Sequence, residues 1–213
     1  MSMNNPKKVS LAIAAVGAVP AAAGTARSKG EVYNLMSGIR DDDAAVRTEA
    51  WQSAGKVGAP AVKPLAIVMT DKRLEVARAA KRGLWKIVRH AGRPGADEEK
   101  IVVADKLVEL LGNVHPVPVR REVLWMLSEI GNEKAVNPIA ALLSNQDLRE
   151  DARMTLQRIP NKEALAALRA GLINANDDFK LNIAQSLRQR GEKVDGLDCV
   201  KLVPTKKTNV KPL

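Results

Sequence analysis

The sequence predicts an all-α chain, a right-handed α-solenoid of about five stacked helix pairs. Two observations carry that prediction. First, one apolar spacing recurs at offsets 0, +4, +8 and +11, which at about 100° per residue is a single helical stripe. It reads Val46, Ala50, Ala54, Val57, then Val76, Ala80, Leu84, Ile87, then Val119, Val123, Leu127, Ile130. It returns as Leu148, Ala152, Leu156, Ile159 and, shortened, as Phe179, Ile183, Leu187. The starts lie 30, 43, 29 and 31 residues apart, the kind of period that marks stacked repeats. Second, each stripe but one runs into a stop. Gly58, Gly131, Pro160 and Gly191 stand where a helix must end.

Taken in order, residues 1 to 26 support two readings. Lys7 and Lys8 precede an apolar run from Val9 to Val19, followed by Pro20 and three alanines. A basic start, an apolar stretch of about ten residues and small residues at the end describe a secretory signal peptide. The same segment also reads as a degenerate N-terminal helix, since Val16-Gly17-Ala18-Val19-Pro20 echoes Val57-Gly58-Ala59-Pro60. A terminal repeat needs a polar outer face, and Ser10 is the one polar residue between Val9 and Ala23, which favours export. The expected location is therefore periplasmic or extracellular if the segment is a leader, and cytoplasmic otherwise. The run is too short for a lasting membrane span.

The repeat domain is expected over residues 30–191. Val32, Leu35, Met36 and Ile39 make a first helix, and Asp41-Asp42-Asp43 caps the second. Ala61 to Met69 and Ala135 to Leu143 are first helices of later units, each with an early proline, Pro64 and Pro138, where a first turn tolerates one. Ala164 to Leu168 is a looser echo, and Ile101, Val102, Leu107, Val108 and Leu111 serve the middle unit. The longest interval holds an insertion, His90 to Lys100, read as a Gly/Pro loop and then a helix start with Asp97-Glu98-Glu99. Insertions between repeats fall on one edge of a solenoid and often carry specificity. After Gly191 the periodicity stops, and residues 192–213 read as an extended basic tail.

Composition narrows the function class. The 213 residues are long enough to bury a core, and with aromatics at 2% that core is built from Ala, Leu, Val and Ile in closely packed helices. A net charge of +10 favours acidic partners of any kind. Cys199 stands alone, so no intrachain disulfide forms. No phosphate loop, no Cys/His zinc spacing around His90 or His115 and no nucleophile–base pattern is present, so no catalytic, metal or cofactor site is expected.

The five units, from Val46-Arg47 to Phe179-Lys180, resemble the HEAT-like repeat family in its short form of about thirty residues, found in bilin-lyase-type HEAT proteins. The resemblance implies a non-enzymatic scaffold or adaptor, with lyases and DNA glycosylases as a minority. It also implies that Arg47, Arg120, Arg149 and Lys180 pair with acidic turns of neighbouring units, for which Asp43, Asp147 and Asp177 are available. The second unit departs from that pattern with Ala77.

On the wheel, offsets +2, +5, +6 and +9 point away from the stripe. They hold Arg78, Lys81, Arg82 and Trp85, then Arg121, Leu124, Trp125 and Ser128, then Arg153, Met154 and Gln157, with Arg188 continuing the series. If second helices line the concave side, these residues form a basic surface with Trp85 and Trp125 on its floor, and tryptophan beside arginine is hot-spot composition. The same tryptophans could instead fill gaps between repeats, the role expected of Trp51. The partner this favours is an acidic protein segment. Sequence-independent nucleic-acid binding is the alternative, and a bilin-lyase-like enzyme with a tetrapyrrole-sized cavity is a more distant one.

Overall fold

The computed structural model describes residues 21–198, with side chains from Lys29 onward. The apolar run at residues 9–19, Cys199 and the tail from residue 199 lie outside the described residues. Ten α-helices form five pairs among the described residues: α1 (Ala21–Ile39) with α2 (Ala44–Val57), α3 (Val62–Val68) with α4 (Leu74–Ala91), α5 (Asp97–Val108) with α6 (Val117–Ile130), α7 (Glu133–Ala140) with α8 (Arg149–Arg158), and α9 (Lys162–Asn174) with α10 (Asp177–Gln189). Helix α1 begins at Ala21, within the segment read as a leader or degenerate helix.

Two layers follow from the contacts. The second helices stack in the order α2, α4, α6, α8, α10, and the first helices stack from α3 through α5 and α7 to α9. Each pair closes on itself, and each of α4, α6 and α8 is covered by the second helices before and after it. This is the α-solenoid predicted by the recurring stripe. Its core is aliphatic, with Leu65, Leu84, Leu107, Leu127, Ile139, Leu156 and Leu168 fully buried. Each such leucine contributes about 1.5–3 kcal/mol by leaving water.

Local chemistry ends the helices where expected. The Asp43 carboxylate accepts from the Ala45 amide at 2.7 Å to cap α2. Asn132 and Asn161 cap α7 and α9 in the same manner, accepting from Ala135 and Ala164. Gly58 and Gly191 follow α2 and α10 with φ of 69° and 85°, a left-handed turn that glycine takes without strain. Pro138 sits deeper in its helix than expected. Helix α7 is followed by a 3₁₀ turn over Ala141–Ser144, as α5 is by one over Glu109–Leu111.

Two expectations are corrected. Ile101 and Val102 are about half exposed, and Val103, Ala104, Leu107 and Leu110 carry the burial of α5 and its following turn. Val46 is also exposed, because no second helix precedes α2 among the described residues to cover its first turn.

The basic residues at offset +1 are structural, but not in the manner expected. Arg47 donates to the main-chain carbonyls of Asp41 and Asp42 at 2.7 and 2.8 Å, in the turn before its own helix. Arg120, buried, donates to the Leu111 carbonyl at 2.9 Å. Lys180 pairs with Asp177 one turn back on its own helix. Of the four, Arg149 reaches the next unit, pairing with Asp178 at 2.6 Å and lying 4.8 Å over the Phe179 ring. Helix ends leave carbonyls without intrahelical donors, and a guanidinium can serve two of them at once. Arg190 does the same, donating to the carbonyls of Leu156, Ile159 and Asn161.

Two measurements check this packing. The α2–α4 crossing is close at Gly55, where an added Cβ would stand 3.0 Å from the His90 Cβ. Gly55→Leu is expected to cost about 1–3 kcal/mol, read as a lower Tm, because it forces these helices apart. Glu109, held by Lys106 and by Lys63 of the preceding unit, has a carboxyl lowered from 4.5 to about 2 by those hydrogen bonds. A depressed carboxyl stabilises the fold above its unfolded value and loses that effect as it protonates. The Tm advantage of the wild type over Glu109→Gln is therefore greatest above pH 4.5 and vanishes as pH falls toward 2. An advantage unchanged across that range would refute the assignment.

Candidate functional site

The seams between consecutive second helices use a recurring device. In the α4–α6 seam, Glu122 accepts the Trp85 indole N–H at 2.5 Å and pairs with Lys81 at 2.7 Å. In the α6–α8 seam, Asp151 accepts the Trp125 indole N–H and the Arg121 Nε, both at 2.9 Å. Both acids occupy offset +3 of the stripe, on the helix that follows the tryptophan. The α8–α10 seam is closed by neutral and charged groups together. Arg153 donates to Ser186 at 2.5 Å and pairs with Glu150 at 2.7 Å, Gln157 joins Ser186 and Gln189, and Asn182 reaches Glu150.

The α2–α4 seam lacks this carboxylate. At offset +3 the second unit has Ala79, buried against its neighbours. In the same seam the buried Trp51 indole N–H has no hydrogen-bond partner. An unsatisfied buried donor costs about 1–3 kcal/mol, so this seam keeps a local penalty that the next two avoid.

An open groove of about 770 Å³ lies along that seam. Trp51 and Trp85 form its apolar part, with Arg82 5.8 Å over the first ring and Arg89 5.3 Å over the second. Arg78, Lys81 and Arg93 also line it, and each has an acid: Glu75 at 2.8 Å, Glu122 at 2.7 Å and Glu99 at 2.7 Å. Arg82, Lys86 and Arg89 have no carboxylate partner among the described residues. They fall at i, i+4 and i+7 on one face of α4, an array about 10 Å long at 1.5 Å rise per residue. A guanidinium above an indole keeps N–H groups free for a carboxylate or phosphate. His90 and Arg93 close the groove at the insertion, where Glu99 takes two bonds from Arg93 and lies 3.8 Å from His90. Those hydrogen bonds hold the Glu99 carboxyl below its ordinary value.

The structure thus gathers Arg78, Lys81, Arg82 and Trp85 in one groove and separates the other candidates from it. Arg121 and Trp125 belong to the next seam, where Asp151 engages both, and Trp125 keeps 43% of its surface exposed. Arg153 and Gln157 are spent on the α8–α10 seam. Arg188 donates to the carbonyls of Val194 and Leu197 and pins the segment after α10. Leu124 and Ser128, expected to face outward, are buried, because a second helix has neighbours on both flanks. Trp51, expected in the core, is half-buried on the groove wall. Sequence reasoning did not select Lys86 and Arg89, which sit at +10 and +13, beyond the tested offsets on an α4 longer than its stripe. Among the described residues no cluster of His, Cys, Asp and Glu could hold a metal ion.

The seams can be compared by the same substitution. Trp51→Phe and Trp85→Phe remove similar volume, but the second also breaks the bond to Glu122. Trp51→Phe is expected to be the milder by about 1 kcal/mol in urea unfolding. Equal costs would show that the Trp51 N–H is not an orphan.

The family model for HEAT repeats matches residues 104–188, which run from within α5 to within α10 and leave the groove on the N-terminal side. No curated protein matches the chain. A crystal structure of an engineered protein is similar at 22% identity with a TM-score of 0.39, over 81% of this chain and 85% of that one. The five stacked helix pairs and the match at residues 104–188 show that this chain carries HEAT-like repeats.

Proposed function

We propose that this repeat scaffold is a non-enzymatic adaptor that binds an acidic protein segment along the α2–α4 seam. The observation that carries the reading is the missing carboxylate. Glu122 and Asp151 bridge the next two seams, whereas the first seam has Ala79 at that offset of α4 and presents Trp51 beside Arg82, Lys86 and Arg89 with no acid among them. A partner's carboxylates complete the series at Arg82, Lys86 and Arg89. Bound there, each replaces water around a cation whose neighbours on the helix are also cations, which relieves like-charge repulsion. Stacked arginines lose little freedom on binding, so the site is preorganised for flat, two-oxygen acids.

Nucleic acid satisfies the same charges, and the indoles distinguish the two. Sequence-independent single-strand binding needs bare aromatic faces for the bases. Here each tryptophan packs against the core and already carries a guanidinium on its ring, so a base would have to displace the arginine before stacking. That favours a peptide.

The test uses the full chain and a short labelled oligoglutamate peptide at about 0.15 M salt, read by fluorescence anisotropy. Arg82→Glu with Arg89→Glu is expected to weaken binding about tenfold or more while Tm changes little, since neither residue has an ion-pair partner to lose. Arg121→Glu, whose side chain is engaged by Asp151, is expected to lower Tm instead. Tighter binding of duplex or single-stranded DNA than of the peptide, or indifference to the double reversal, would overturn the reading.

A further inference from the structure

The inserted loop builds a second pocket beside the groove, and the two share a wall. This pocket, about 390 Å³, is lined by Val57, Ala59, Ile87, Ala91, Val102 and Val103 together with the charged Lys56, Glu98 and Glu99, and His90 faces both it and the groove. The close crossing at Gly55 brings the α2 backbone against His90, so the histidine stands over the seam, with the cations on one side and the apolar pocket on the other. The chain order agrees. Along α2, Trp51 lines the groove and Val57 the pocket, and along α4, Arg82 and Arg89 line the groove and Ala91 the pocket. The helices run the same course toward their C-terminal ends, where α5 of the next unit supplies Val102 and Val103. Val102 keeps half its surface exposed at this place, an apolar side chain without cover.

Resting on the groove reading above, we infer that the partner segment is bipartite: acidic residues lie on Arg82, Lys86 and Arg89, and one aliphatic or aromatic side chain enters the pocket beyond His90. The pocket is continuous with the cationic array and large enough for a single Leu or Phe side chain. Two carboxylates of its lining, Glu98 and Glu99, against one cation, Lys56, disfavour an acidic group there, whereas covering Val102 and its neighbours removes apolar surface from water. Acidity supplies attraction and approach rate, and the apolar anchor selects among acidic segments. The insertion, absent from the other units, then has a role in specificity.

The experiment measures the full chain against oligoglutamate peptides ending in leucine or phenylalanine, at either terminus, and against the same peptides ending in alanine. The expected result is about tenfold or greater preference for at least one anchored peptide. That preference should disappear in Val102→Gln, a surface change checked by circular dichroism, while the affinity for the alanine peptide stays the same. If anchored and alanine peptides bind the wild type alike, the bipartite inference fails and the basic groove stands. If no acidic peptide binds, the groove reading fails and takes this inference with it.

Discussion

Everything in this molecule depends on one requirement: each inner second helix must be covered on both flanks by the second helices of its neighbours. With aromatics at 2% of the chain, the covering groups are small, and the helices approach closely. The α2–α4 contact is the clearest case. Gly55 meets His90, and Gly83 of α4 meets Ala54 and Leu65, so two backbones lie side by side with little between them. That closeness places Trp51 of one unit beside Arg82 and Trp85 of the next and so creates the groove. A bulkier seam would have filled the same space with side chains.

The same requirement explains why cations at equivalent positions have unequal roles. A second helix of this kind carries Arg and Lys on the flank that its neighbour does not bury. Where the neighbour offers an acid, as at Glu122 and Asp151, the cation and the indole N–H become cross-seam ties. Exposed pairs of this type are worth about 0–1 kcal/mol each, so their effect lies in fixing one helix's register on the next. Arg82, Lys86 and Arg89, on the same helix as Lys81, pair with no acid of either neighbour and stay available.

This is why the fold was legible and the site was only partly so. The stripe, the period and the Gly and Pro stops specify helix pairs directly, and Leu127, Ile130, Leu156 and Phe179 are buried as the spacing requires. The wheel likewise placed Arg78, Lys81 and Arg82 outward, because single-helix geometry is enough for that. It misplaced Leu124 and Ser128, since burial there comes from a neighbour thirty residues away. It selected Arg153 and Arg188, whose partners Ser186 and Leu197 are brought close by tertiary packing. Trp51 was assigned to the core on its size, and its exposed edge follows from the small residues it packs against, which a one-dimensional pattern does not weigh.

The last step concerns cost. Three like charges at i, i+4 and i+7 repel one another by a few tenths of a kcal/mol per pair, and the orphaned Trp51 N–H adds its own penalty. Local chemistry that disagrees with itself is expected where binding, not folding, sets the residues. The later seams show that this fold can satisfy these groups internally. Leaving them unsatisfied at one seam, next to the one long insertion, puts the groove and the pocket in one place, and that coincidence is what supports the proposed binding face.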